Sequence, residues 1–105
     1  SGVIPARIRK ALEKAVEFRR NIAQLEETLG LKSNERAEQV EEQARIRSNI
    51  EAVGNTSRQG QEYLKQLAEL DAVINGLRDE IMTMRDTLQK RREDYRIYLE
   101  SLSFE

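Results

Sequence analysis

Carboxylate side chains are the groups in this sequence with the widest range of possible chemistry. Glu38, Glu41 and Glu42 fall in one stretch, and Asp79 and Glu80 are neighbours further along the chain. Paired carboxylates can act as general acid and base, and clusters of them bind hard cations such as Ca²⁺. We expect neither role, because these residues fall on polar faces of predicted helices. No histidine is present to complete a di-metal site of the four-helix kind.

The composition also excludes several other kinds of chemistry. The chain has no cysteine and no histidine, which removes thiol nucleophiles, disulfides and the usual zinc ligands. It contains no glycine-rich phosphate loop and no nucleophile elbow. The sequence therefore predicts a protein that is not an enzyme and that needs no cofactor and no metal.

Five basic residues form a candidate anion-binding cluster. If the chain folds as an antiparallel hairpin of two long helices, Arg19 lies opposite Arg92 and Arg20 lies opposite Arg91. This arrangement could bind nucleic acid or an anionic surface weakly, but we favour a solvated face that nearby acids neutralise. The overall charge agrees, since 18 Lys and Arg residues against 19 Asp and Glu residues give a net charge of −1. The basic cluster comprises Arg19, Arg20, Lys90, Arg91 and Arg92, and the neutralising acids are Glu13, Glu17, Glu93 and Asp94.

Helical periodicity dominates the 105 residues, of which 38% are hydrophobic and 35% charged, a balance typical of long exposed helices. The only proline, Pro5, suits the first turn of a helix. Downstream of it, apolar residues recur at alternating spacings of three and four, which places them on one helical face. They are Ile8, Ala11, Ala15, Phe18, Ile22, Leu25 and Leu29.

The second half of the chain repeats apolar residues every seven positions, the pattern of a coiled coil. Leu67, Ile74, Ile81, Leu88, Tyr95 and Leu102 form one series, and Tyr63, Leu70, Leu77, Met84, Arg91 and Tyr98 form the other. Only Arg91 departs from the pattern, and we expect its stem to lie along the apolar face and to stack on Phe18 or Tyr95.

A turn over residues 54–57 separates two arms of similar length. Gly54-Asn55-Thr56-Ser57 is the strongest turn signal in the chain, and Thr56 with Gln59 fits a capping box. We therefore predict an all-α fold: one domain over residues 1–105, a long antiparallel two-helix hairpin with arms at about 5–53 and 58–102. Its register places Phe18 near Arg91 and Tyr95. The alternative is a three-helix bundle with a true turn at Gly30, and within the hairpin Gly30 could still kink or break the first arm.

The middle of the first arm is poorly matched to the second. Lys32, Arg36, Gln39 and Gln43 continue its inward face, opposite an apolar stretch of the second arm. Either Gly30 resets the phase so that Ala37, Val40 and Ala44 face inward, or another helix covers the apolar stretch. The second possibility predicts a protein partner: a second copy in a homodimer, or the rest of a longer parent protein. The candidate interface comprises Leu67, Leu70, Ile74, Leu77 and Ile81.

One motif resembles a known family. A run of matching residues precedes the turn, and it comprises Glu42, Gln43, Arg45, Ile46, Arg47, Asn49 and Ile50. It is followed by Tyr63-Leu64 and by a heptad helix that ends in Tyr95, Tyr98, Leu99 and Leu102. This arrangement resembles the C-terminal helical region of the mucoidy-inhibitor-A-like family of uncharacterised bacterial proteins. The resemblance implies a β-rich portion ahead of this segment and offers no established activity.

The expected function follows from these elements. Ser1-Gly2 resembles a cloning scar, so we expect the chain to be a piece of a longer protein whose localisation it does not reveal. No apolar run approaches the ~20 residues needed to span a bilayer. The sequence predicts a structural or protein-interaction module that spaces, docks or oligomerises its parent protein.

Overall fold

A computed structural model describes residues 3–102 as two helices joined by a tight turn. Helix α1 spans Ala6–Val53, helix α2 spans Arg58–Ser101, and no strand occurs among the described residues. Both helix bounds fall within one residue of the predicted arms, so the all-helical hairpin is confirmed. Ser1 and Gly2, on which the expectation of a cloning scar rests, lie outside the described residues, as do residues 103–105.

Helix α1 continues through Gly30 without interruption. Of the two outcomes predicted at this glycine, the break is wrong, and so is the three-helix alternative that depended on it, while the kink stays a prediction. A glycine inside a helix costs about 1 kcal/mol relative to alanine, which weakens the helix without ending it. The residues on either side of Gly30 are good helix formers, and no proline follows to stop the helix.

The turn begins where α1 ends at a glycine with a left-handed backbone. Gly54 has φ of 82°, and its amide donates to the carbonyl oxygen of Ile50 at 2.8 Å. This conformation is cheap for glycine and strained for residues with a Cβ. Gly54 therefore ends the first helix at the predicted position.

Ser57 caps the start of α2, where the sequence suggested Thr56. Its Oγ accepts a hydrogen bond from the amide of Gly60 at 2.9 Å and donates to the carbonyl oxygen of Gly54 at 2.9 Å. The capping residue directly precedes the first helical residue, and α2 begins at Arg58, so Ser57 rather than Thr56 occupies that position. Gly60 lies so close to the turn that a Cβ at this position would overlap the carbonyl oxygen of Gly54.

We expect Ser57→Ala to lower the free energy of unfolding by about 1 kcal/mol, because it leaves a helix-terminal amide without its side-chain acceptor. Thr56→Ala is the matched control and should change it by less than about 0.5 kcal/mol. Urea denaturation followed by circular dichroism measures both. If Thr56→Ala lowered the free energy of unfolding more than Ser57→Ala, Thr56 would be the capping residue.

The chain divides into two compact units, each built from one segment of α1 and one of α2. The terminal unit contains residues 3–29 and 84–102, and the turn unit contains Gly30–Thr83. Ala11 and Leu88 are buried in the terminal unit, at 8% and 5% exposure. The turn unit buries Ile46, Ile74, Leu77 and Ile81, at 3–7% exposure. Each unit is thus a thin apolar seam between two antiparallel helical segments.

Candidate interaction surfaces

The candidate interface lies between the two helical segments of the turn unit. Ile74, Leu77 and Ile81 are buried, while Leu67 and Leu70 are half-buried. In the single chain these side chains face α1 and are largely covered by it. Surface that a partner can reach without any rearrangement must therefore lie beside the candidate interface.

The covering face of α1 is polar. Lys32, Arg36, Gln39 and Gln43 are all partly buried. Ala37, Val40 and Ala44 are exposed, so the predicted reset of the helical phase is wrong. The reason is geometric: an unbroken helix carries the spacing of three and four from Leu29 directly onto Lys32 and the polar residues after it.

Two of these polar side chains reach carboxylates at the edge of α2. Lys32 Nζ lies 3.0 Å from Glu80 Oε2, and Gln43 Nε2 donates to Asp71 Oδ1. The hydrogen bond to Glu80 and its negative charge raise the pKa of Lys32 above its usual value. The ion pair therefore stabilises the fold at neutral pH, and on the basic side this contribution is lost as the pH rises through the raised pKa of Lys32 in the folded chain.

Arg36 has the least satisfied polar atom of the seam. Its Nε is buried and has no hydrogen-bond partner. A buried donor without a partner costs about 1–3 kcal/mol in lost hydration. The burial of this donor therefore lowers the stability of the turn unit.

Large apolar side chains are exposed beside the candidate interface. Leu64 and Val73, both on α2, are 38% and 48% exposed. The sequence places them next to the inward positions, where they widen the apolar face of the helix. Further exposed apolar side chains of the turn unit are Leu31, Val40, Val53 and Met82.

An aromatic cluster holds the terminal unit together. The ring of Phe18 stacks on Tyr95 and on Tyr98, with centroids 5.5 and 5.4 Å apart, which confirms the predicted pairing of Phe18 with Tyr95. The hydroxyl of Tyr98 donates to the carbonyl oxygen of Ala11 at 3.3 Å. Arg91 is exposed, and the cation that lies over an aromatic ring is Lys14, 4.7 Å from the centroid of Tyr98.

The predicted basic cluster belongs to the terminal unit, and its five side chains are exposed. One of them, Arg92, pairs with Glu26 at 3.2 Å. Among the acids predicted to neutralise the cluster, Glu93 pairs with Arg96, and that guanidinium lowers the pKa of Glu93. The described residues of the unit include eleven Lys and Arg residues and eight Asp and Glu residues, so its excess of positive charge is small.

Three of the five candidate carboxylates lie near basic side chains. Glu42 pairs with Arg45, Glu80 with Lys32, and Asp79 lies 3.7 Å from Arg78. Among residues 3–102, no three acidic side chains are grouped so that they could hold a metal ion. Within the same range, neither helix has a stretch long and apolar enough to cross a membrane.

Comparison with protein-family models, with curated proteins and with solved structures finds no match to this chain. The resemblance to the mucoidy-inhibitor-A-like family therefore stays a prediction.

Proposed function

We propose that this chain is a non-catalytic interaction module that packs as a coiled coil and self-associates, spacing or oligomerising its parent protein. The observation that carries the proposal is the exposed apolar surface on both sides of the seam of the turn unit. Leu64 and Val73 flank the half-buried Leu67 and Leu70 on opposite sides, so apolar surface continues from the seam onto both edges of α2. Continuous apolar surface of this kind usually marks an interface.

The physical basis is the thinness of a two-helix layer. Each helix can cover one stripe of its neighbour, and apolar residues beyond that stripe remain in water. Two hairpins packed into a four-helix arrangement would cover both the seam and its edges. A second copy supplies an identical surface, and a net charge of −1 produces little repulsion between copies.

Sedimentation equilibrium at micromolar concentration tests this proposal. We expect a mass near twice the 12.2 kDa of one chain. Val73→Asp should weaken the association by about tenfold or more, because it places a carboxylate on the apolar edge while leaving the seam intact. A mass of 12.2 kDa at every concentration would refute self-association.

Asn75→Asp is the matched control, since it introduces the same charge two residues away at an exposed position. It should leave the association constant unchanged within about twofold. Ile74→Glu is not a suitable test of the interface. Ile74 is only 7% exposed, so the substitution should disrupt the hairpin itself.

A further inference from the structure

We propose that α1 residues 32–43, the cover segment, conceal the candidate interface in the free chain and move aside so that it pairs with the same surface of a second copy. This inference rests on the proposed self-association and adds how it is controlled. In the turn unit a polar face of α1 packs against an apolar face of α2. The identical apolar face of α2 in a second copy would be a better match in polarity.

The cover segment is a poor cover for an apolar surface. It presents Lys32, Arg36, Gln39 and Gln43 to side chains that are buried in the single chain, among them Ile74 and Leu77. Ordering long polar side chains removes rotamer freedom, and burying their polar atoms requires partners. Arg36 Nε has none in the structure.

Two side-chain bridges hold the cover segment near its ends. Lys32 binds Glu80 at 3.0 Å, and Gln43 donates to Asp71. The side chains of Lys32 and Glu80 are 35% and 55% exposed, so water and salt compete with their ion pair. These bridges fix the register of the closed hairpin but hold it closed only weakly.

The terminal unit provides a direct contrast within the same helix. There the inward face of α1 presents Phe18, Ile22 and Leu25, which pack against α2 residues of the same character. Phe18 alone stacks on two tyrosines. Opening should therefore occur first in the turn unit, at the cover segment.

The candidate interface is suited to pairing with itself. Leu67, Ile74 and Ile81 occupy one heptad position, and Leu70 and Leu77 occupy the other. In parallel coiled coils, a β-branched residue at the first position with leucine at the second favours two-stranded pairing, and two of the three first positions here are isoleucine. The occupant we infer is therefore the α2 helix of a second copy.

Hydrogen exchange of the full chain, resolved by mass spectrometry, tests the opening step. We expect amides of residues 32–43 to exchange about tenfold or more faster than those of residues 15–25, because local opening of a segment whose polar side chains face an apolar surface loses less packing energy. Arg36→Leu with Gln39→Leu should slow exchange of the cover segment by at least about tenfold, since leucine matches the apolar surface. The same variant should remain monomeric at concentrations where the unaltered chain forms dimers.

Glu38→Leu with Glu41→Leu is the matched control, because it adds two leucines to exposed positions of the same segment. It should leave exchange of the cover segment unchanged within about twofold. Equal exchange rates in residues 32–43 and 15–25 of a chain that dimerises would overturn the opening step while leaving the proposed self-association standing. Undiminished dimerisation of the Arg36→Leu, Gln39→Leu variant would also overturn it. A chain that is monomeric at every concentration would instead refute the self-association and, with it, the second copy as occupant.

Discussion

Leu88→Asp should unfold the terminal unit. Leu88 is 5% exposed and lies on the inward face of α2 between Met84 and Tyr95. An aspartate there would place a carboxylate in the seam without a partner and would remove a large apolar side chain. The expected loss is about 2–5 kcal/mol, a large part of the 5–15 kcal/mol that typically stabilises a domain. Urea denaturation followed by helical circular dichroism measures it.

Gln89→Asp is the control for Leu88→Asp, since it creates the same residue at the next position, which is exposed. It should change the free energy of unfolding by less than about 0.5 kcal/mol. Similar losses from the two substitutions would show that Leu88 does not face the seam. Leu25→Asp, on the opposing helix of the same unit, should resemble Leu88→Asp in direction, although Leu25 is only half-buried.

Phe18→Ala should produce the second large loss. Phe18 stacks on both Tyr95 and Tyr98, so truncation removes two aromatic contacts and leaves a gap between the helices. Burying a phenylalanine fully is worth about 3–5 kcal/mol on truncation to alanine, and because Phe18 is half-buried we expect about 2–4 kcal/mol. Thermal and urea denaturation should both report the change.

Leu12→Ala provides a matched control in the same helical segment. Leu12 is 52% exposed, so its truncation should cost less than about 1 kcal/mol. If Phe18→Ala proved as mild as Leu12→Ala, the aromatic cluster would contribute little to the terminal unit. A shift in the tyrosine absorption band near 280 nm should accompany the loss of stacking, since Tyr95 and Tyr98 would then contact solvent.

The sequence alone determined which residues form helices and most of the inward face. In α2 the apolar positions recur every seven residues. The most buried residues of this helix all belong to that pattern, and they are Ile74, Leu77, Ile81 and Leu88. The turn over residues 54–57 could also be predicted from the sequence, because glycine and small polar residues there interrupt the helical spacing of apolar residues found on both sides. From the lengths of the two arms, the register that brings Phe18 to Tyr95 also followed. These features are local or periodic, so they need no knowledge of packing.

Only the tertiary structure decided how the middle of the hairpin is built. The sequence leaves open whether the helix breaks at Gly30, and the structure shows an unbroken helix there. That continuity places Lys32, Arg36, Gln39 and Gln43 on the inward face and leaves Ala37, Val40 and Ala44 exposed. The same packing covers the candidate interface with polar side chains and leaves Arg36 Nε without a partner. Helical geometry advances by a fixed angle per residue, so in a continuous helix the position of Leu29 determines which of the following residues share its face.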